Sequence, residues 1–227
     1  MAIDGLPRLI AAQMNHLITH SPFTIKVQQV RSGCKNPTVP DRFTLTIPFC
    51  LDFINWDVIY NALYPLAAPD VIFGPEDETF RPYHSNALSN WNAKDPSKLL
   101  ALILQLRELY VAYQKERVGK LDDERLKFEL NTMLSREGIE MHMSSVTEKT
   151  EEVKFAVRLL EMDLNKVVVG STWRNPKIHL QVVYPVTRQY SLKAIPSAPR
   201  LKLVASPELR VLFSIEDFRL PVWVDGM

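Results

Sequence analysis

The sequence predicts an α+β fold in two tandem units, and three observations carry that prediction. Short segments with β-branched content or apolar–polar alternation come in groups of four. Each group follows a segment of helical spacing, and this order is met twice along 227 residues. Two Tyr-Pro dipeptides, Tyr64-Pro65 and Tyr184-Pro185, each close the third strand-like segment of their group.

The first helix is read over 6–20, where Leu6, Leu9, Ile10, Met14, Leu17 and Ile18 fall near helical spacing and Ser21-Pro22 ends the run. Strands are expected at Phe23–Val30, at Arg42–Pro48 with Phe43, Leu45 and Ile47 on one face, and at Trp56–Leu63. A short fourth strand, Val71–Phe73, follows Pro69. A polar loop over 74–90 leads through Trp91 to Asp95-Pro96-Ser97, with Asp95 placed as N-cap and Pro96 at the first helical position. The long helix is read from Leu99 to Tyr113.

Gly119, inside a charged stretch, marks the seam, so the units are drawn as 1–118 and 119–227. Leu121, Phe128, Leu130, Met133 and Leu134 continue helical spacing up to Gly138. Strands are then expected at Ile139–Val146, Val153–Leu160 and Lys177–Val183, with Glu148-Lys149-Thr150 as a hairpin loop and Leu201–Val204 as a fourth short run. Beyond Ser206 only one more strand, Arg210–Ile215, is read. No long helix follows, so the second unit is read as unfinished and the chain as a piece of a longer protein.

Composition narrows the function classes. An apolar fraction of 46% suits packed cores and excludes a mainly disordered chain. A balance of 27 basic against 26 acidic residues gives no global field to attract nucleic acid or an anionic membrane. Two cysteines cannot build a disulfide framework, and Cys34 and Cys50 lack metal-ligand spacing. No apolar run is long enough to span a bilayer, and the first residues lack a basic region followed by an apolar stretch. A soluble intracellular protein is expected. Proline at 16 against glycine at 7 points to corners with fixed φ.

Tyr64-Pro65-Leu66-Ala67-Ala68-Pro69 matches the Tyr-Pro-x-x-x-Pro turn of the ubiquitin-conjugating-enzyme and RWD superfamily. Its two prolines lack N–H donors, so the strand cannot simply extend, and Tyr64 is expected to pack its ring over the corner. Trp91-Asn92 before a proline-started helix resembles the Trp-x-Pro region of the same superfamily. The resemblance places a catalytic cysteine after the fourth strand, yet residues 75–91 hold neither cysteine nor His-Pro-Asn. Without a thiol there is no ubiquitin thioester. The chain thus resembles the inactive ubiquitin E2 variants, and each unit is expected to be UEV/RWD-like: a helix plus a four-stranded antiparallel meander, the first unit with C-terminal helices.

A denser resemblance is carried by Arg31-Ser32-Gly33-Cys34, Asp41-Arg42-Phe43, Ile47-Pro48, Trp56-Asp57, Asn61-Ala62, Ile72-Phe73-Gly74 and Ser89-Asn90-Trp91-Asn92. Together these are similar to the BRE (brain and reproductive organ-expressed) family, densely over 28–115 and more thinly over 136–215. The family's loop corresponding to 31–43 is longer, and the second unit lacks the tight Tyr-Pro-x-x-x-Pro spacing. The resemblance implies a non-catalytic scaffold of deubiquitinase complexes of the BRISC and BRCA-type A kind, cytoplasmic and nuclear. It implies protein partners: a zinc-dependent JAMM/MPN+ enzyme, an Abraxas-type scaffold and a von Willebrand A-like subunit. Direct recognition of ubiquitin is the alternative it leaves open.

Other residues are weighed against plainer roles. The Tyr64/Pro65/Pro69 turn is read as a fold-defining corner before a peptide-binding site, with Trp91, Tyr184 and Pro185 in the same structural class. His16 and His20 have a spacing that can hold zinc, but no third ligand lies nearby in sequence, and no metal is assigned. His84 has no accompanying nucleophile and Cys34, beside Lys35, no assignable His or Asp partner. The run Glu116, Arg117, Lys120, Asp122, Asp123, Glu124 and Arg125 is read as a solvated helix face. No Gly-rich phosphate loop, His-Glu-x-x-His or Gly-x-Ser-x-Gly is present, so no catalytic residue and no cofactor are assigned.

Overall fold

Two four-stranded antiparallel sheets, each preceded by a helix, make up the computed structural model, which describes residues 6–33, 40–61, 64, 66–82, 85–134, 138–147, 150–161, 177–187 and 198–205. The chain divides into two compact units, Met1–Gln114 and Lys115–Met227. The fold is α+β, with both sheets built as meanders in which neighbours in sequence are neighbours in space.

In the first unit, α1 (Arg8–His20) buries Ile10, Gln13, Met14 and Leu17. That spacing of three and four puts all of them on one helix face. The helix stops at Ser21, whose backbone is extended, as the residue before Pro22 must be. The sheet follows in the order β1 (Lys26–Arg31), β2 (Arg42–Phe49), β3 (Asp52–Ile59) and β4 (Asp70–Ile72). Phe43, Leu45, Ile47 and Phe49 of β2 and Ile54, Trp56 and Val58 of β3 are buried on one face. On the other face Thr44 and Thr46 donate to Asp57 and Asn55 across the same strand pair, at 2.5 and 2.9 Å.

The third strand starts earlier and ends earlier than the alternation over Trp56–Leu63 predicts. Phe49 pairs with Asp52, so Cys50 and Leu51 alone form the β2–β3 turn. Both have positive φ, 50° and 64°. Two left-handed residues in a two-residue loop match the right-handed twist of the strands, a role usually given to Asn-Gly. Neither residue carries that signal, which is why the hairpin was not legible.

After a 3-10 turn (Pro75–Asp77) and the short α2 (Asn86–Ser89), α3 runs from Lys98 to Gly119. It buries Leu99, Leu102, Ile103, Leu106, Tyr110, Gln114 and Val118. It continues past the predicted end at Tyr113 because the apolar stripe carries on through Val118, and Lys120 bonds Glu116 one turn back at 2.6 Å. Tyr110 meets the rings of Phe49 and Trp56 edge-on at 5.0 and 5.9 Å, so α3 lies on the buried face of the first sheet. Arg107 adds a clamp there: its guanidinium lies over Phe23 and Phe49 and donates to the Pro48 carbonyl at 3.3 Å.

In the second unit, α4 (Glu124–Leu134) is capped by Asp123, whose carboxylate accepts from the Leu126 amide at 3.0 Å. Among its described side chains it buries Leu126 and Leu130, beside Val118. Phe128, which the helical spacing had placed with them, is 70% exposed. It sits two residues beyond Leu126, about 200° round the helix, so it faces solvent.

The second sheet runs β5 (Glu140–Thr147), β6 (Thr150–Glu161), β7 (Lys177–Thr187), β8 (Arg200–Ala205). Met141, Met143, Val153, Phe155, Val157, Val182, Tyr184 and Val186 form its core with α4. Thr150 is already part of β6, paired with Thr147. The expected strand at Arg210–Ile215 lies outside the described residues.

Tyr184 and Pro185 do not close the third strand of this unit. They lie inside β7, opposite Val153 and Glu152, and the strand continues to Thr187. β8 pairs with β7 only from Ile178 to Val183. Among the described residues Pro185 therefore stands where β7 has one strand partner rather than two, a sheet position that tolerates a missing donor. Only the first Tyr-Pro dipeptide borders a turn.

Candidate functional site

The fold-defining residues singled out in the first unit, Tyr64, Pro65, Pro69 and Trp91, fall in two connections, 60–69 between β3 and β4 and 73–97 between β4 and α3. Tyr60, just past β3, is buried with its ring edge-on to Phe43 at 6.2 Å. Its hydroxyl donates to Gln13 Oε1 at 2.7 Å, and the Gln13 amide donates to the Ala93 carbonyl at 2.9 Å. Three segments far apart in sequence are joined by this chain. Burial pushes the Tyr60 phenol well above its ordinary value.

Tyr64 accepts the Ala67 amide at 2.9 Å and donates its own amide to Asn61 at 3.1 Å, which makes the backbone turn. Its side chain does not pack over the corner: it is 67% exposed. Leu66 beside it is 58% exposed. Pro69, at the far end of the motif, is buried, while Pro65 lies outside the described residues.

The second connection contains the stretch 75–91, where the sequence resemblance would place a conjugating enzyme's thiol. Here it is folded against α3. Asp77 is buried, and Tyr110 donates its hydroxyl to both carboxylate oxygens, 3.0 Å from each. Gln114, one turn on, donates to the Tyr110 oxygen at 2.8 Å. Phe80 fits among Phe73, Tyr110 and Tyr113, with ring centroids 4.6 to 5.2 Å away. Thr79 and Tyr113 share a hydrogen bond of 2.7 Å. Further along, Gln105 Oε1 accepts both the Ser85 hydroxyl and the Ala87 amide at 2.8 Å.

The polar loop expected over 74–90 is thus turned partly inward, through a network that its composition does not announce. One signal was available. Gln105, Tyr110 and Gln114 interrupt the apolar stripe of α3 with groups that can donate and accept, and a polar side chain on a buried helix face requires a partner.

Trp91 follows α2 and is half-buried, its indole N–H enclosed without an acceptor among the described residues. Asp95 accepts both the amide and the hydroxyl of Ser97, at 3.0 and 2.6 Å, which satisfies a donor ahead of α3 as a capping residue does. Those two bonds from Ser97, the hydroxyl first, hold the Asp95 carboxyl below its ordinary value.

Cys50 is fully buried in the β2–β3 turn. Its thiol is not presented to a macromolecular substrate. Cys34 and His84 lie outside the described residues. His16 and His20 stack on α1 with centroids 4.1 Å apart. Among the described residues no three His, Cys, Asp or Glu side chains come together as metal ligands. Tyr184, buried in the second unit, meets Phe155 edge-on at 5.7 Å, a core contact. Among the described residues the two connections expose Tyr64, Leu66 and Leu88 alongside charged and polar side chains such as Glu76, Glu78, Arg81 and Lys94.

The comparisons with known proteins agree with a single family. The family model described as "Brain and reproductive organ-expressed protein (BRE)" matches residues 11–222. The chain is similar to a Danio rerio protein named BRISC and BRCA1-A complex member 2, 36% identical over 116 residues, which covers 48% of this chain and 29% of that protein. It is also similar to a Branchiostoma floridae protein of the same name, 31% identical over 157 residues, covering 63% of this chain and 40% of that one. The chain thus matches well under two thirds of the length of either relative.

Proposed function

Because this chain belongs to the BRE family, we propose that it acts as a non-catalytic scaffold subunit of a deubiquitinase complex of the BRISC or BRCA1-A kind. The observation that carries this reading is the family match over 11–222, joined to relatives whose names describe complex members. In this role the chain holds surfaces in place while a separate JAMM/MPN+ enzyme cleaves ubiquitin chains. An Abraxas-type scaffold and a von Willebrand A-like subunit are the further partners, and the cytoplasm and nucleus the compartments. UEV/RWD-like units suit such a role. The stretch 75–91 has no cysteine, and its buried polar groups Asp77 and Ser85 are bonded to α3.

Affinity purification of the intact protein from its own cells, with identification of the subunits recovered, tests this. Recovery of a JAMM/MPN+ enzyme with the two other subunits supports the scaffold. Their absence sinks it, as does a reducing-agent-sensitive ubiquitin adduct on Cys34 or Cys50 after incubation with activated ubiquitin.

The second reading, direct binding of ubiquitin, draws on the exposed Tyr64 and Leu66, since weak recognition needs only a modest apolar patch. Titration of labelled ubiquitin distinguishes it. Localised NMR shifts that vanish in Tyr64→Ala and Leu66→Ala support it, and the absence of shifts at millimolar concentration removes it.

A further inference from the structure

We draw no further inference here: the strongest candidate, the pair of exposed apolar side chains Phe53 and Ile72 on the open face of the first sheet, is an unpartnered face with nothing in the structure to show what covers it.

Discussion

Tyr110 donates its single hydroxyl proton to both oxygens of the Asp77 carboxylate, 3.0 Å from each, at a place where neither side chain meets much solvent. A buried acceptor deprived of its donor loses far more than the bond was worth in water. Tyr110→Phe should therefore destabilise the first unit by about 1–3 kcal/mol, although it removes only one atom. Urea denaturation checks the loss. The double variant with Asp77→Asn should cost less than the two single changes added together, because the two residues share one network.

Tyr60 makes a prediction at alkaline pH. Its phenol is raised by burial, so folding favours the protonated form. The stability this contributes is complete below the unfolded value of 10.0 and is lost as pH rises above it toward the higher folded value. Stability measured from pH 9 to 12 should be flat at first and then decline. Tyr60→Phe should make that decline shallower. It should also cost roughly 1–2 kcal/mol at neutral pH, since Gln13 Oε1 loses its donor. A slope unchanged by the substitution would argue against Tyr60 as its source. Tyr184, likewise raised by burial, should add to the decline in the second unit.

Asp95 behaves oppositely. Its carboxyl is held low by Ser97, so its contribution is present above the unfolded value of 3.8 and is lost as pH falls through the lower folded value. Asp95→Ala should lower the melting temperature at pH 7 and should make little difference near pH 2. Asp95→Asn, which keeps an acceptor at the same place, should retain most of the capping. Melting curves of the two variants at both pH values decide the matter.

The Cys50-Leu51 turn invites a stabilising change. An L-residue in the left-handed region carries a penalty of about 1–2 kcal/mol, and glycine avoids it at an entropic cost of about 0.5–1 kcal/mol. Leu51→Gly should therefore raise stability by up to about 1 kcal/mol. Leu51→Val, β-branched at φ 64°, should lower it. Equal midpoints for wild type and both variants would mean that the turn relaxes without strain.

Much of the fold was legible because periodicity reports burial directly. Ile10, Met14 and Leu17 announced α1, and Phe43, Leu45 and Ile47 announced the inner face of β2. What stayed hidden depended on partners remote in sequence. Asp77 and Ser85 look like solvated loop residues until Tyr110 and Gln105 are brought to them. Phe128 looks like a core residue until Leu126 and Leu130 set the buried side of α4. Tyr64 sits in a backbone turn, as its prolines suggest, yet nothing in the local pattern says that its ring is left in solvent.

Pro185 has a consequence for assembly. β-Sheets grow by donating amides from an open edge to a newcomer, and a proline has none to give. Among the described residues the ladder to β8 ends at Val183, and Pro185 lies two residues past it on β7. A strand that extended the β8 ladder past Val183 would find no amide to accept from at Pro185. The dipeptide that looked like a corner instead limits how far a pairing partner can be bonded along β7.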